Sequence, residues 1–277
     1  MIFDQPVFSV PPISDTPDEN SPFFFFQNNR LLLRQTEDGW TWPVLSEVQE
    51  WLPDDFEPFQ LFCADGVSFF SAHPYSDLFP PETDGFTYQP VGVMRSLPHS
   101  KATTIMTGWH LWSWYQQNRF CGCCGKSNMP DTKERALRCT ACDHLRFPMI
   151  APAVMVAITC GDRILLAKSL NSPTGRYGLI AGYVEVGETL EHAAHREVME
   201  EAGIRLKSLS YIGDQPWGIS GSHMFAFKAE ADDTQPIHVQ ETELADARWF
   251  DRDALPPRAP AVSIAHELIE RFRAGNL

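Results

Sequence analysis

The chain has 277 residues, which at ~150 per domain suggests two domains with substantial cores. Its 22 basic against 36 acidic side chains give a formal charge of −14, which argues against duplex nucleic acid or an anionic membrane surface as a bulk partner. Hydrophobic residues at 43% argue against wholesale disorder, and the apolar run 150–158, with Pro152 inside it, is far short of the ~20 residues of a membrane-spanning helix.

Residues 1–22 hold five prolines, several acids and no basic residue, and read as a poorly ordered arm. The first basic residue is Arg30, so no secretory signal or Arg-rich transit peptide is expected and the predicted location is cytoplasmic. Residues 23–119 read as a small β-rich domain ending in a helix. Short apolar runs at 23–26, 31–33 and 59–62 are broken by Pro, Gly and Asp, and 14 of the 19 Phe lie at or before residue 120. The spacing predicts a helix over 103–119, with Ile105, Trp109, Trp112 and Gln116 on one face as a packing stripe.

Residues 120–149 form a cysteine-rich segment, and 150–277 a mixed α/β domain. Strands are predicted over 153–159 and 163–167 across a Gly161-Asp162 turn, then over 177–181, 206–212 and 224–229. Helices are predicted over 189–202, closed by Gly203, and over 261–274. Strands and helices at irregular intervals suggest a layered sandwich, not a βαβ repeat.

Seven cysteines is an odd number, and five of them lie within 121–142. In a long chain such clustering points to metal, not to a disulfide framework. Cys121 and Cys124, then Cys139 and Cys142, make two C-x-x-C turns separated by 14 residues, a set suited to tetrahedral Zn²⁺. Four thiolates leave no open position, so this zinc would be structural. A nucleic-acid-binding ribbon is the rival reading, with Lys126, Lys133, Arg135, Arg138 and Arg146 diluted by Asp131, Glu134 and Asp143. Gly125-Lys126-Ser127 mimics the end of a P-loop, but Phe120 stands where its first Gly belongs.

The richest stretch is 182–204. Glu197, Glu200 and Glu201 are three and four apart, so they are neighbours on a helix surface and repel one another. Glu197 and Glu201 flank the direction of Leu190 and Ala194, beside the packing face, where unpaired carboxylates are costly. A hard divalent cation resolves the conflict, and oxygen ligands favour Mg²⁺ or Mn²⁺. Arg196 can reach Glu200 one turn on and orient it.

With Gly182, Glu188, Arg196, Glu197, Val198, Glu200, Glu201, Gly203 and Ile204 in place, the stretch resembles the Nudix box, G-x5-E-x7-R-E-U-x-E-E-x-G-U with U apolar, at every fixed position. The resemblance implies an α/β/α sandwich and hydrolysis of a nucleoside diphosphate linked to another group. It implies metal contacts from Glu197, Glu200, Glu201 and the Ala181 carbonyl, with Arg196 in the catalytic set.

Gln215-Pro216-Trp217-Gly218-Ile219-Ser220-Gly221-Ser222 resembles the S-Q-P-W-P-F-P-x-S motif of NADH pyrophosphatases within that family. Gln215, Pro216, Trp217 and Ser222 agree, whereas Asp214, Gly218, Ile219 and Ser220 depart from it. Trp217 and Tyr183 offer π faces to a base. The succession of β-rich domain, four-cysteine ribbon and box is similar to the NudC-type branch. That similarity implies a further metal or substrate contact at Glu243 and substrate contacts at Arg95, Phe147 and Ala265. It also implies a homodimer. The expected activity is hydrolysis of NAD(H) to NMN(H) and AMP, with removal of NAD caps from RNA chemically open to the same site. Alternatives keep the box with ADP-ribose, a dinucleoside polyphosphate or a CoA-like substrate, or make the chain a non-catalytic Nudix sensor with a nucleic-acid-binding ribbon.

Overall fold

The computed structural model describes residues 6–9, 16–37, 39–170, 175–257 and 262–277. They divide into two compact units, one holding the chain before Ile150 together with Gly218–Ser220, the other holding Ile150–Trp217 and Gly221–Leu277. Among the described residues no helix is long and apolar enough to cross a membrane.

The first unit begins with β1 (Phe8–Ser9), β2 (Phe23–Phe24), β3 (Phe26–Gln27), β4 (Arg30–Thr36) and β5 (Gly39–Thr41). The short helix α1 (Leu45–Val48), then β6 (Pro58–Ala64), β7 (Val67–Ala72), β8 (Phe86–Pro90) and the long helix α2 (His99–Gln117) follow. One sheet runs β1-β6-β7-β2 and a second is built on β4, which pairs with β3, β5 and β8. Phe23 to Phe26 are at most 2% exposed, so successive side chains are buried on both faces of the run. Phe23 and Phe25 join one cluster with Leu32, Phe70 and Phe86, while Phe24 and Phe26 meet Trp42, Phe62, Trp109 and Trp112. The aromatic stripe of α2 therefore packs, as its spacing predicts.

Two expectations for this unit change. The arm is tied down in places: Phe8 and Ser9 pair with Ala64 and Cys63, and Pro22 bridges Val44. Residues 1–5 and 10–15 of that arm lie outside the described residues. Helix α2 starts at His99, four residues before the expected 103, because Pro98 needs no amide partner at a helix start. The cysteine segment adds a small antiparallel sheet of β9 (Asn128–Pro130), β10 (Leu137–Cys139) and β11 (Leu145–Arg146).

The second unit is a sandwich. Its strands are β12 (Ala151–Cys160), β13 (Arg163–Ser169), β14 (Ile180–Tyr183), β15 (Leu206–Trp217), β16 (Ser222–Ala231) and β17 (Leu244–Asp251). They form one mixed sheet in the order β15-β16-β12-β13-β17, with β14 also on β12 and only β12-β16 parallel. Helix α3 (Leu190–Ala202) covers one face, on Val154, Val156, Ile158 and Phe227, through Ala194 and Val198. Helix α4 (Ile264–Arg273) covers the other, where Ile264 and Leu268 meet Met155 and Ala226. The alternation of Val154, Met155 and Val156 between the faces is the strand period at work. The strand expected over 177–181 lies at Ile180–Tyr183, and β17 was not anticipated.

Candidate active site and thiol cluster

Helix α3 carries the carboxylates. Thr189 caps it by accepting the N–H of His192, and Gly203 ends it in the left-handed region at φ 68°. The segment after β16 ties back onto the helix end: His238 and Gln240 donate their backbone N–H to the carbonyls of Ala202 and Glu201, at 2.9 and 3.0 Å. That return brings the loop bearing Glu243 back to the carboxylate end of the helix.

Glu197 and Glu201 are 9% and 6% exposed, whereas Glu200 stays in solvent. Gly182 makes room for Glu197: a Cβ at that position would stand 2.0 Å from the Glu197 carboxyl carbon, so the first glycine of the box is required by packing. Arg196 ties the group together. Its Nε and Nη2 donate to the two oxygens of Glu188, both at 2.9 Å, and Nη2 also reaches the Tyr183 carbonyl at 2.9 Å. Its Nη1 donates to Glu197 at 2.7 Å and to Glu200 at 3.0 Å. Glu188 in turn accepts the N–H of Glu185 at 3.1 Å, closing the box loop on itself. Sequence reasoning gave Glu188 no role. Its signal was its fixed place in the motif, eight residues before Arg196.

Burial pushes the Glu197 carboxyl up against the opposing pull of Arg196. Burial, with the charges of Glu197, Glu243 and Glu200, pushes Glu201 up to about 7. Among the described residues the Glu201 carboxylate takes no hydrogen bond or ion pair, alone of the four glutamates. A largely buried carboxylate without a donor is the environment a hard cation relieves, so the donor set fits Mg²⁺ or Mn²⁺.

The substrate candidates separate by face. Register places Tyr183 opposite Ala153, Ala153 opposite Met224, and Met224 opposite Gln215, all on the α4 side together with Ala181 and Trp217. Ala181 and Ala265 pack on the same small cluster beneath α4. Tyr183 is exposed, Trp217 half-buried, Pro216 exposed and Ser222 buried. Gly218, Ile219 and Ser220 count with the first unit, as do Arg95, which is exposed after β8, and Phe147, which is exposed after β11. The 215–222 segment is part strand and part turn. Gln215, Pro216 and Trp217 finish β15 and pair with Met224, His223 and Ser222, so only 218–221 turn, with Gly221 at φ 69°. Gln215 is 1% exposed with its amide engaged by protein, because a carboxamide on the face that α4 covers needs internal partners.

The four predicted zinc ligands converge. The sulfur atoms of Cys121, Cys124, Cys139 and Cys142 lie within 4.8 Å of one another. Cys121–Cys142 is 3.7 Å and Cys124–Cys139 3.4 Å, near the ~3.8 Å edge of a tetrahedron with Zn–S of about 2.3 Å. N–H groups of Cys142 and Ala141 draw the Cys139 thiol down to about 6. Cys142 goes up to about 12, its neighbours Cys124 and Cys139 outweighing the His144 N–H. A set that cannot ionise fully by itself fits a dication. Arg138 of this segment is held by Asp131 at 2.6 Å and Asp143 at 2.7 Å, so it is not a free cation for a phosphate backbone.

The NUDIX domain family model matches residues 149–272. The chain is 39% identical over 201 residues to the NAD-capped RNA hydrolase NudC of Haemophilus influenzae, covering 71% of this chain and 76% of that protein. It is 36% identical over 238 residues to the NudC of Chromobacterium violaceum, covering 82% and 89%.

The chain belongs to the Nudix hydrolase family.

A NudC protein of Pseudomonas syringae is 45% identical over 163 residues, 58% of each chain. The sandwich of the second unit, with the box spanning β14, its loop and α3, is the architecture expected of that family from the sequence.

Proposed function

We propose that the protein hydrolyses the diphosphate of NAD(H) to NMN(H) and AMP, and that it removes NAD caps from RNA by cleaving the same bond. Relatives named NAD-capped RNA hydrolase, matched across most of their length, support the substrate class. The observation that carries the chemistry is the buried, donor-free Glu201 beside Glu197.

The oxygen of a water attacks one phosphorus, the bridging P–O bond breaks, and the other phosphate leaves with the bridging oxygen. A Mg²⁺ or Mn²⁺ held by Glu197, Glu200, Glu201, Glu243 and the Ala181 carbonyl would supply charge neutralisation to a phosphoanhydride that a chain of −14 otherwise repels. Arg196 keeps Glu197 and Glu200 in place through its contacts with Glu188 and the Tyr183 carbonyl. A carboxylate of this set accepts the proton of the attacking water, and Glu201, buried and without a donor among the described residues, is held for the cation. Tyr183 and Trp217 stack a base on the α4 face, where Ala265 lines the floor. Pro216, Gly221 and Ser222 of the second unit and, separately, Arg95, Phe147, Gly218, Ile219 and Ser220 of the first are each proposed as substrate contacts, and Zn²⁺ is proposed to hold the cysteine segment together.

We place the enzyme in the cytoplasm as a homodimer. The acidic charge and the exposed Phe120 and Phe147 are compatible with that reading. The test is a product assay with NADH, NAD⁺, ADP-ribose, a dinucleoside tetraphosphate and NAD-capped RNA, each with Mg²⁺ and then Mn²⁺. NMN(H) and AMP as the dominant products are expected. Faster turnover of ADP-ribose or the tetraphosphate would move the reading to another Nudix substrate.

A further inference from the structure

Helix α4 begins with an amide that cannot find a partner inside the helix. Ile264 is its first residue, and the first four N–H groups of any helix are orphans. Ser263 serves one of the others, its hydroxyl accepting the N–H of His266 at 3.3 Å, while its carbonyl takes the first regular helix bond from Glu267 at 3.1 Å. The Ile264 N–H is taken from across the sheet: Gln215 Oε1 accepts it at 2.7 Å. The other end of the same carboxamide donates, through Nε2, to the Val262 carbonyl at 2.7 Å. One buried side chain of β15 thus brackets the N-terminal turn of α4 from both sides of the Ser263 cap.

What that turn supports gives the bracket its consequence. Ile264 and Leu268 form a buried cluster with Met155 and Ala226, on which Ala181, Met224 and Ala265 also pack. Met155 is the register partner of Ala181, and Ala181 precedes the glycine that seats Glu197. Tyr183 and Trp217 lie on this same face. Glu197 and Glu201 belong to the opposite layer, on α3. A change in the start of α4 therefore reaches the apolar floor first and the carboxylates last.

We propose that Gln215 is a positioning residue: by clamping the first turn of α4 to β15 it fixes the floor on which the substrate base rests, and so governs KM more than kcat, without touching substrate itself. This rests on the dinucleotide hydrolase reading above. The test compares wild type with Gln215→Met, which keeps volume and removes the hydrogen bonds to Val262 and Ile264, by amide hydrogen exchange and by steady-state kinetics with NADH and Mg²⁺. Exchange at residues 262–268 rises at least tenfold, exchange in α3 is unchanged, KM rises about tenfold and kcat stays within twofold. Unchanged exchange at 262–268, or a fall in kcat with KM unaltered, overturns the proposal. If Gln215→Met does not fold, Gln215→Asn keeps the carboxamide but draws it back by one methylene, so it cannot reach Val262 and Ile264 together. It should then show the same rise in exchange and KM, and wild-type values for both would overturn the clamp. Should wild type fail to turn over NADH, the activity reading falls, while the exchange comparison still decides whether the clamp exists.

Discussion

The two clusters of acidic hydrogen in this protein are built in opposite ways. The cysteine set is drawn tight by two turns, with sulfurs 3.4 and 3.7 Å apart and backbone N–H groups aimed at Cys121 and Cys139. The glutamate set is spread along one helix and a returning loop, and among the described residues only the cysteines bring their ligand atoms all within 4.8 Å. Arg196 neutralises Glu197 and Glu200, and Glu201 is left buried and unanswered. A site that closes on its ion needs convergence, whereas a site that must also admit a phosphate and a water needs its ligands held apart. The difference in geometry is thus a difference in what each cluster leaves vacant for other molecules.

The largest expected effect attacks the open cluster. Glu201→Gln keeps the shape of the buried side chain and removes its charge, so kcat should fall on the order of 10²–10³-fold, the scale of losing one charge-stabilising group. Thermal stability should hold or rise, because a buried charge has gone. Near-normal turnover would put Glu201 outside the reaction. The closed cluster should answer in the reverse sense. Cys139→Ser should lower Tm by on the order of 5–10 °C and bound zinc together, and catalysis measured well below that Tm should survive. Retained zinc in that variant would remove Cys139 from the ligand set.

Both clusters were legible in the sequence, for a physical reason. C-x-x-C turns and i, i+4 carboxylates are local geometries, so spacing alone fixes which side chains share a turn or a helix face. The strand order was not legible, because β14 and β16 both add to β12 through contacts distant in sequence. The partners of Gln215 were out of reach for the same reason, since Val262 and Ile264 are 47 and 49 residues away. Glu188 lay in plain view, yet its job depends on how the box loop folds back to Arg196.

A smaller effect sharpens the split between the faces of the sheet. Trp217→Ala should raise KM for NADH roughly tenfold and leave kcat nearly unchanged, since base–aromatic stacking is worth ~1–3 kcal/mol. An equal KM would mean that the end of β15 holds no base, and the α4 face would lose its claim on the dinucleotide.

The subtlest prediction concerns pH and metal together. The folded protein holds the Glu201 carboxyl near 7, above its ordinary 4.5, because burial and the neighbouring glutamates disfavour its charge. A raised acid favours folding while it is protonated in both states, so this contribution is full below about 4.5 and is lost as pH climbs through about 7. Without divalent ions, the stability of wild type measured against Glu201→Gln should therefore decline across that window. Saturating Mg²⁺ should flatten the decline, because a cation competes with the proton for the same oxygens and favours the charged form. The cysteine cluster gives no such magnesium-dependent slope, as soft thiolates do not select that ion. A wild-type-to-variant difference that is flat in pH, or equally steep with and without Mg²⁺, would show that the buried carboxylate is not where the hard cation sits.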